Sequence, residues 1–259
     1  MNFHQTDLND LRKAKTLLEN PGIAAKITNL LGAPIEKGFE LLPENWNVKI
    51  SEITRAALSK AIHAAVLTMK DAPGEKASNI WHKLAVATTG GIGGFWGLPA
   101  LAIELPISTT IMLRSIADIA RSEEENIAAI EAKIACIEVF ALGGPSKRDD
   151  ATESGYYTVR AALAQSISKA AEYITEKGLA EEGAPALVRL IVQIAERFSI
   201  QVSEKAAAQA VPAIGAAGGA LINTIFIDHF QNMARGHFIV RRLEKKYGKE
   251  IVENAYRSL

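Results

Sequence analysis

From Ala85 to Leu113 the chain carries one charged side chain, Glu104. An unpaired buried carboxylate costs several kcal/mol or is driven to its neutral form, so this residue must sit at an edge, have a partner or do chemistry. Its place two residues before Pro106 predicts a helix-start carboxylate facing the positive end of the helix dipole. The alternative turns Glu104 inward, towards a cation or a divalent metal. Arg114 falls on a different helical face, so that partner would have to come from elsewhere.

His229 is the matching candidate. Steps of three and four from it reach Ile222, Phe226 and Met233, which puts the imidazole on an apolar helix face. There it is either a core histidine bonded to a neighbour or a metal ligand or general base, with Glu104 as its natural carboxylate partner. His237 lies two turns on, about 12 Å along the axis, too far to share an ion with His229. Asn223, polar in an apolar run, suits a hydrogen-bonding bridge between helices. Asp228 instead continues through Thr224, Asn232, Arg235 and Arg242 as a solvated stripe. In 155-GYYTVR-160, Tyr156, Tyr157 and Arg160 follow the polar loop 145-PSKRDDATESG-155. They can recognise an anionic or planar group, or close the loop while Arg160 ties down a carboxylate. Phosphate-loop, zinc-protease, nucleophile-elbow and dinucleotide motifs are all absent.

The elements that must position these residues are helical. Apolar periodicity is of the helix type nearly throughout, with breaks at Pro73-Gly74, at Gly143-Gly144-Pro145, at Gly178 and at Gly248. Two runs stand apart: Leu84–Ile103 and Ala206–Ile227 carry no charge. Each is long enough to cross a bilayer, yet each is rich in small residues. Gly90, Gly91, Gly93, Gly94 and Gly97 flank Phe95 and Trp96 in the first; Gly215, Gly218 and Gly219 lie in the second. Pro99, Pro106 and Pro212 cut the runs into shorter pieces. Two readings stay open: glycine-rich hairpins buried at the centre of a soluble bundle, or hairpins inserted in or resting on a membrane. The expected fold is an all-α multi-helix bundle, with residues 50–255 as its core and residues 1–49 as peripheral N-terminal helices.

The 259 residues carry 29 basic and 29 acidic side chains, a balance that argues against a nucleic-acid binder. One cysteine, Cys136, excludes an internal disulfide and suits a reducing compartment. The polar start, MNFHQTDLND, is unlike a secretion signal, so a cytoplasmic location is expected. The locally basic stretch 235-RGHFIVRRLEKKYGKE-250 suggests either an anionic membrane surface or an ordinary solvated helix end.

In combination the segments 89-TGGIGGFWGLPALAIELP-106, 114-RSIADIA-120, 156-YYTVR-160 and the helix from Asn223 to Gly248 resemble the EcsC protein family. The resemblance covers roughly residues 50 to 255. It implies a bacterial cytoplasmic or membrane-peripheral protein linked to transport or secretion, and it supplies no reaction. It marks Glu104, Arg114, Tyr156, Tyr157, Arg160, Asn223 and Arg241 as a shared polar centre. Such sequences usually carry a glycine in the turn after the 114–121 helix, where this chain has 122-SEEEN-126. The function expected is that of a non-catalytic accessory protein meeting lipid, a membrane protein or a second copy of itself. The alternative is a hydrolase-like enzyme or metal protein built on Glu104, His229 and Asn223, with a divalent metal held by Glu104 and His229.

Overall fold

A computed structural model describes residues 3–19, 22–31, 35–68, 97–144, 155–177, 185–211 and 215–259. Within them the chain is all-α, without a strand. The helices are α1 Gln5–Leu18, α2 Ile23–Leu31, α3 Glu36–Glu40, α4 Trp46–Thr68, α5 Gly97–Ser122, α6 Ile130–Glu138, α7 Gly155–Lys177, α8 Pro185–Ala210, α9 Gly215–Tyr247 and α10 Lys249–Ser258. A 3-10 turn, Val139–Ala141, continues α6. Gly90, Gly91, Gly93, Gly94, Phe95 and Trp96 lie outside the described residues.

Helices α8 and α9 form the centre. Helix α8 meets α2, α3, α4, α5 and α7, while α9 meets α1, α2, α5 and α10. Between them Phe198 of α8, Phe226 and Phe230 of α9 and Phe140 of the 3-10 turn pack with ring centroids 5.0–6.0 Å apart. All four rings are buried, a large apolar payload at the point where three elements meet.

The N-terminal helices are part of this core rather than peripheral. Leu11, Ala14, Ile23 and Ile27 are buried. At Gly236 of α9 a Cβ would come within 2.6 Å of Leu18 and 3.0 Å of the Ala14 carbonyl, so the glycine sets how closely α1 approaches. The contact is locked by charge: Asp7 accepts from Lys246 (2.7 Å) and from the Tyr247 hydroxyl (2.6 Å), and Asp10 accepts from Arg242 (2.8 Å).

Helix α5 begins at Gly97, seven residues before Glu104, where the helix start was expected. Pro99 therefore occupies the first turn, where a missing N–H costs nothing, and Pro106 is interior. The bond Pro106 cannot make would have gone to the Ala102 carbonyl; Ala102 is exposed, so water can serve that group. The helix ends where a glycine was expected, with Glu124 at φ +66°. The Glu125 N–H reaches back to the Ala120 carbonyl (3.0 Å) and the Glu124 N–H to Arg121 (3.1 Å), a Schellman-type close with an acidic residue in the left-handed seat. The same turn aims Glu123 and Glu125 at α9.

Two glycines give opposite expectations. A Cβ on Gly38 of α3 would fall 2.0 Å from the Ala207 carbonyl oxygen of α8, so Gly38→Ala forces the helices apart and costs about 1–3 kcal/mol. Gly219, within α9, has nothing within 4 Å of such a Cβ, so Gly219→Ala should stabilise by up to about 1 kcal/mol. Urea denaturation of the two variants reads both signs; equal behaviour would contradict the close α3–α8 approach.

Candidate functional site

Glu104 lies two turns inside α5, not at its start, and its partner is a lysine from α8. Lys205 Nζ stands 2.5 Å from Glu104 Oε1. The lysine side chain is 1% exposed and the glutamate side chain 22%, so the ammonium is the deeper charge. The same Nζ lies 4.9 Å from the centroid of Phe226, which adds a cation–π contact on its desolvated side. Lys205 is indistinguishable in sequence from a solvated helix lysine, because α8 alternates charged and apolar residues there; only the run of small residues that follows, 206-AAA-208, hints at a crowded site.

His229 is fully buried, and neither ring nitrogen has a hydrogen-bond partner. It packs edge-on to Phe230 (5.1 Å) and sits against Gly143, where a Cβ would come within 2.5 Å of Nε2. Gly143 is itself at φ +74°, so both conformation and space require glycine. Burial and the nearby Lys26 charge depress the imidazole to a pKa of about 3, leaving it neutral. Nothing in the hydrogen-bond or ion-pair pattern joins it to Glu104. Among the described residues no group of three or more His, Cys, Asp or Glu side chains is placed to hold a metal. Asn223 is half-buried with its Oδ1 enclosed and unpartnered. Arg114 is half-buried on α5. Cys136 is buried, and burial pushes its thiol up to about 12, away from nucleophilic use.

The tyrosine–arginine element does gather a polar cluster. The first turn of α7 lays Tyr156 and Tyr157 against α9 and α10, both buried, with rings edge to face at 5.0 Å. The Tyr156 hydroxyl is 3.0 Å from His237 Nδ1, and on the far side of that ring Nε2 faces Glu138 Oε2 at 3.7 Å, beyond hydrogen-bond length. Arg160 makes a two-pronged contact with Glu244, at 2.7 and 3.0 Å, and its guanidinium lies 5.3 Å over Tyr156 and 5.7 Å over Tyr157. The Tyr157 hydroxyl reaches the same carboxylate at 3.4 Å.

Burial raises the Tyr156 hydroxyl well above its usual range and holds His237 well below its own, with the Arg160 and Arg241 charges also disfavouring imidazolium. Burial likewise raises the Glu138 carboxyl. At neutral pH Tyr156 therefore keeps its proton and the His237 ring stays neutral, and the ionic contact is the Arg160–Glu244 pair. Sequence reasoning found Tyr156, Tyr157 and Arg160 but not Glu138, His237 or Glu244. A glutamate in a short apolar helix, 134-IACIEVF-140, was the available signal for Glu138.

Arg241 bonds to Glu125 (2.9 Å), which also receives Lys245 (2.8 Å), and Arg242 bonds to Glu123 (2.9 Å) as well as Asp10. The basic end of α9 is thus engaged by acids of α1 and of the 123–125 turn, with Lys245 and Lys246 still half-exposed.

Tyr156, Tyr157, Arg160 and Arg241 stand together at the α6–α7–α9 end, while Glu104 belongs to α5 and α8. A sequence model of the EcsC protein family matches residues 5–243. The chain belongs to the EcsC protein family. The match takes in the N-terminal helices that the motif resemblance left out, consistent with the packing of α1 on α9. No curated protein and no solved structure matches this EcsC protein.

Proposed function

We propose that this EcsC-family chain is a non-catalytic accessory protein that works on the inner face of a bacterial cytoplasmic membrane, in contact with lipid or with a transport or secretion component. The observation that carries the reading is the outer side of α5. Ile103 and Ile107, one turn apart, are 63% and 50% exposed, with Ala102 exposed beside them. They sit on the one helix among the described residues, Ala100–Ser122, long and apolar enough to cross a bilayer, with a mean hydropathy of 1.3. Half of that window is buried within the protein, which favours a helix that lies on a membrane or partner over one that spans it. Two large aliphatic side chains exposed on adjacent turns support the reading of an interaction face there.

The polar groups support a structural use of their charges. Glu104 is neutralised by Lys205, and His229 is a neutral ring whose nitrogens have no hydrogen-bond partner. The metal or hydrolase alternative built on Glu104, His229 and Asn223 gains no support from these contacts.

The test is fractionation of the native protein with and without an alkaline carbonate wash, repeated for Ile103→Glu/Ile107→Glu. Wild type should sediment with membranes and be released by the wash, and the double variant should be soluble from the start. Wild type recovered wholly in the soluble fraction would overturn the proposal.

A further inference from the structure

A cavity of roughly 200 Å³ opens to solvent between the first turns of α7 and helix α10. Tyr157, Thr158 and Arg160 form one wall; Lys249, Glu253 and Arg257 form the other. Three cations therefore face one carboxylate across a small space. Glu253 is held by Arg257 at 2.8 Å, and Glu244 stands behind Arg160. Lys249 has no ion pair among the described residues, so the lining keeps a positive charge in excess.

We infer that this cleft binds the phosphate group of a phosphate ester. Both guanidinium groups lie near the Tyr157 ring, Arg160 at 5.7 Å and Arg257 at 5.9 Å, and both line the cleft, with Arg257 bonded through Nε and one NH2 group to Glu253. Glu244 uses two of the five N–H donors of Arg160, leaving that fork able to donate into the cleft it lines. The Lys249 ammonium adds a mobile point charge at the start of α10. Two guanidinium groups and an ammonium lining one opening suit a tetrahedral anion with several oxygens better than a single carboxylate. The space accepts the phosphate and the first atoms of its ester, not a large organic body. The geometry is the same for a small phosphorylated solute and for the head group of an anionic phospholipid. The inference does not depend on the α5 face described above.

Two arms separate those sources. In the first, the protein is titrated calorimetrically with glycerol 3-phosphate in low-salt buffer free of phosphate and sulfate. In the second, it is floated with phosphatidylglycerol vesicles and with phosphatidylcholine vesicles. Each arm is run on wild type, on Lys249→Ala, and on Lys60→Ala, which removes an exposed cation from α4 and so controls for net charge. Saturable glycerol 3-phosphate binding, weakened about tenfold by Lys249→Ala and unchanged by Lys60→Ala, supports the site and a soluble ligand. Flotation on phosphatidylglycerol alone, lost in Lys249→Ala and kept in Lys60→Ala, supports the site and a lipid head group. Absence of saturable binding in both arms, or equal weakening by the two variants, overturns the inference. Ile103→Glu/Ile107→Glu should leave glycerol 3-phosphate binding intact, so failure of the α5 face and failure of the cleft give different results.

Discussion

Glu104→Ala should cost about 3–5 kcal/mol, the penalty for leaving a buried charge without its counter-charge. The asymmetry of the pair decides which substitution hurts more. Lys205 is enclosed by α5, α8 and Phe226, so its ammonium cannot turn to water when the carboxylate is removed. Lys205→Met leaves behind a partly exposed carboxylate that can recover some hydration, and should cost only about 1–3 kcal/mol. The double variant Glu104→Leu/Lys205→Met should return to within about 1 kcal/mol of wild type, because a buried ion pair gains little over apolar groups of similar volume. Urea denaturation of the two single variants and the double closes the cycle. Equal losses for the two single variants would mean that the ammonium reaches solvent. A double variant no better than Glu104→Ala would mean that the pair, not the stranded charge, supplies the stability.

The second large effect is a pH dependence written by His229. Its folded pKa is depressed to about 3, mainly by burial and further by Lys26, whereas an unfolded histidine titrates near its ordinary value of about 6.5. The unfolded chain therefore binds a proton that the folded chain refuses. The stabilising contribution is complete above about pH 6.5 and is lost as pH falls towards the folded value, at about 1.4 kcal/mol per unit. Between pH 6.5 and pH 4.5 the loss amounts to roughly 2–3 kcal/mol. His229→Leu removes this proton while keeping an apolar occupant beside Gly143, so its stability should fall less steeply with acid by that amount. The carboxylates are common to both proteins and cancel in the difference. Parallel stability-against-pH curves for wild type and variant would show that the imidazole can take up its proton in the folded state.

The fold class was legible because helical periodicity is a local property that each segment carries by itself. So were the stops at Gly143 and Gly248, where backbone conformation selects glycine: both residues have positive φ. His229 could be placed on an apolar face from its three- and four-residue neighbours alone, and Asp228 on a solvated one; the first is buried and the second exposed. Local rules also misled. Pro106 reads as a helix start because proline favours first turns, but Pro99 already fills that role, and an exposed Ala102 lets α5 run through the second proline. At Glu124 the chain adopts a left-handed conformation without the glycine that would announce it, since the Ala120 and Arg121 carbonyls capture the turn.

Partnership is where sequence fell silent. Glu104 and Lys205 are 101 positions apart, Tyr156 and His237 81, and Arg160 and Glu244 84. No periodicity links residues at such separations, and a lysine that balances a buried carboxylate has the same local pattern as one in water. The sequence by itself determined that the chain is helical, that helices stop at Gly143 and Gly248, and that Glu104 needed an answer. The crossing of α8 with α5 decided that the answer is an ion pair, and the docking of α7 and α10 on α9 decided which charges are engaged within the protein and which, in the α7–α10 cleft, still face outward. Burial and pairing depend on what lies across a helix interface, and that neighbour comes from a distant part of the chain.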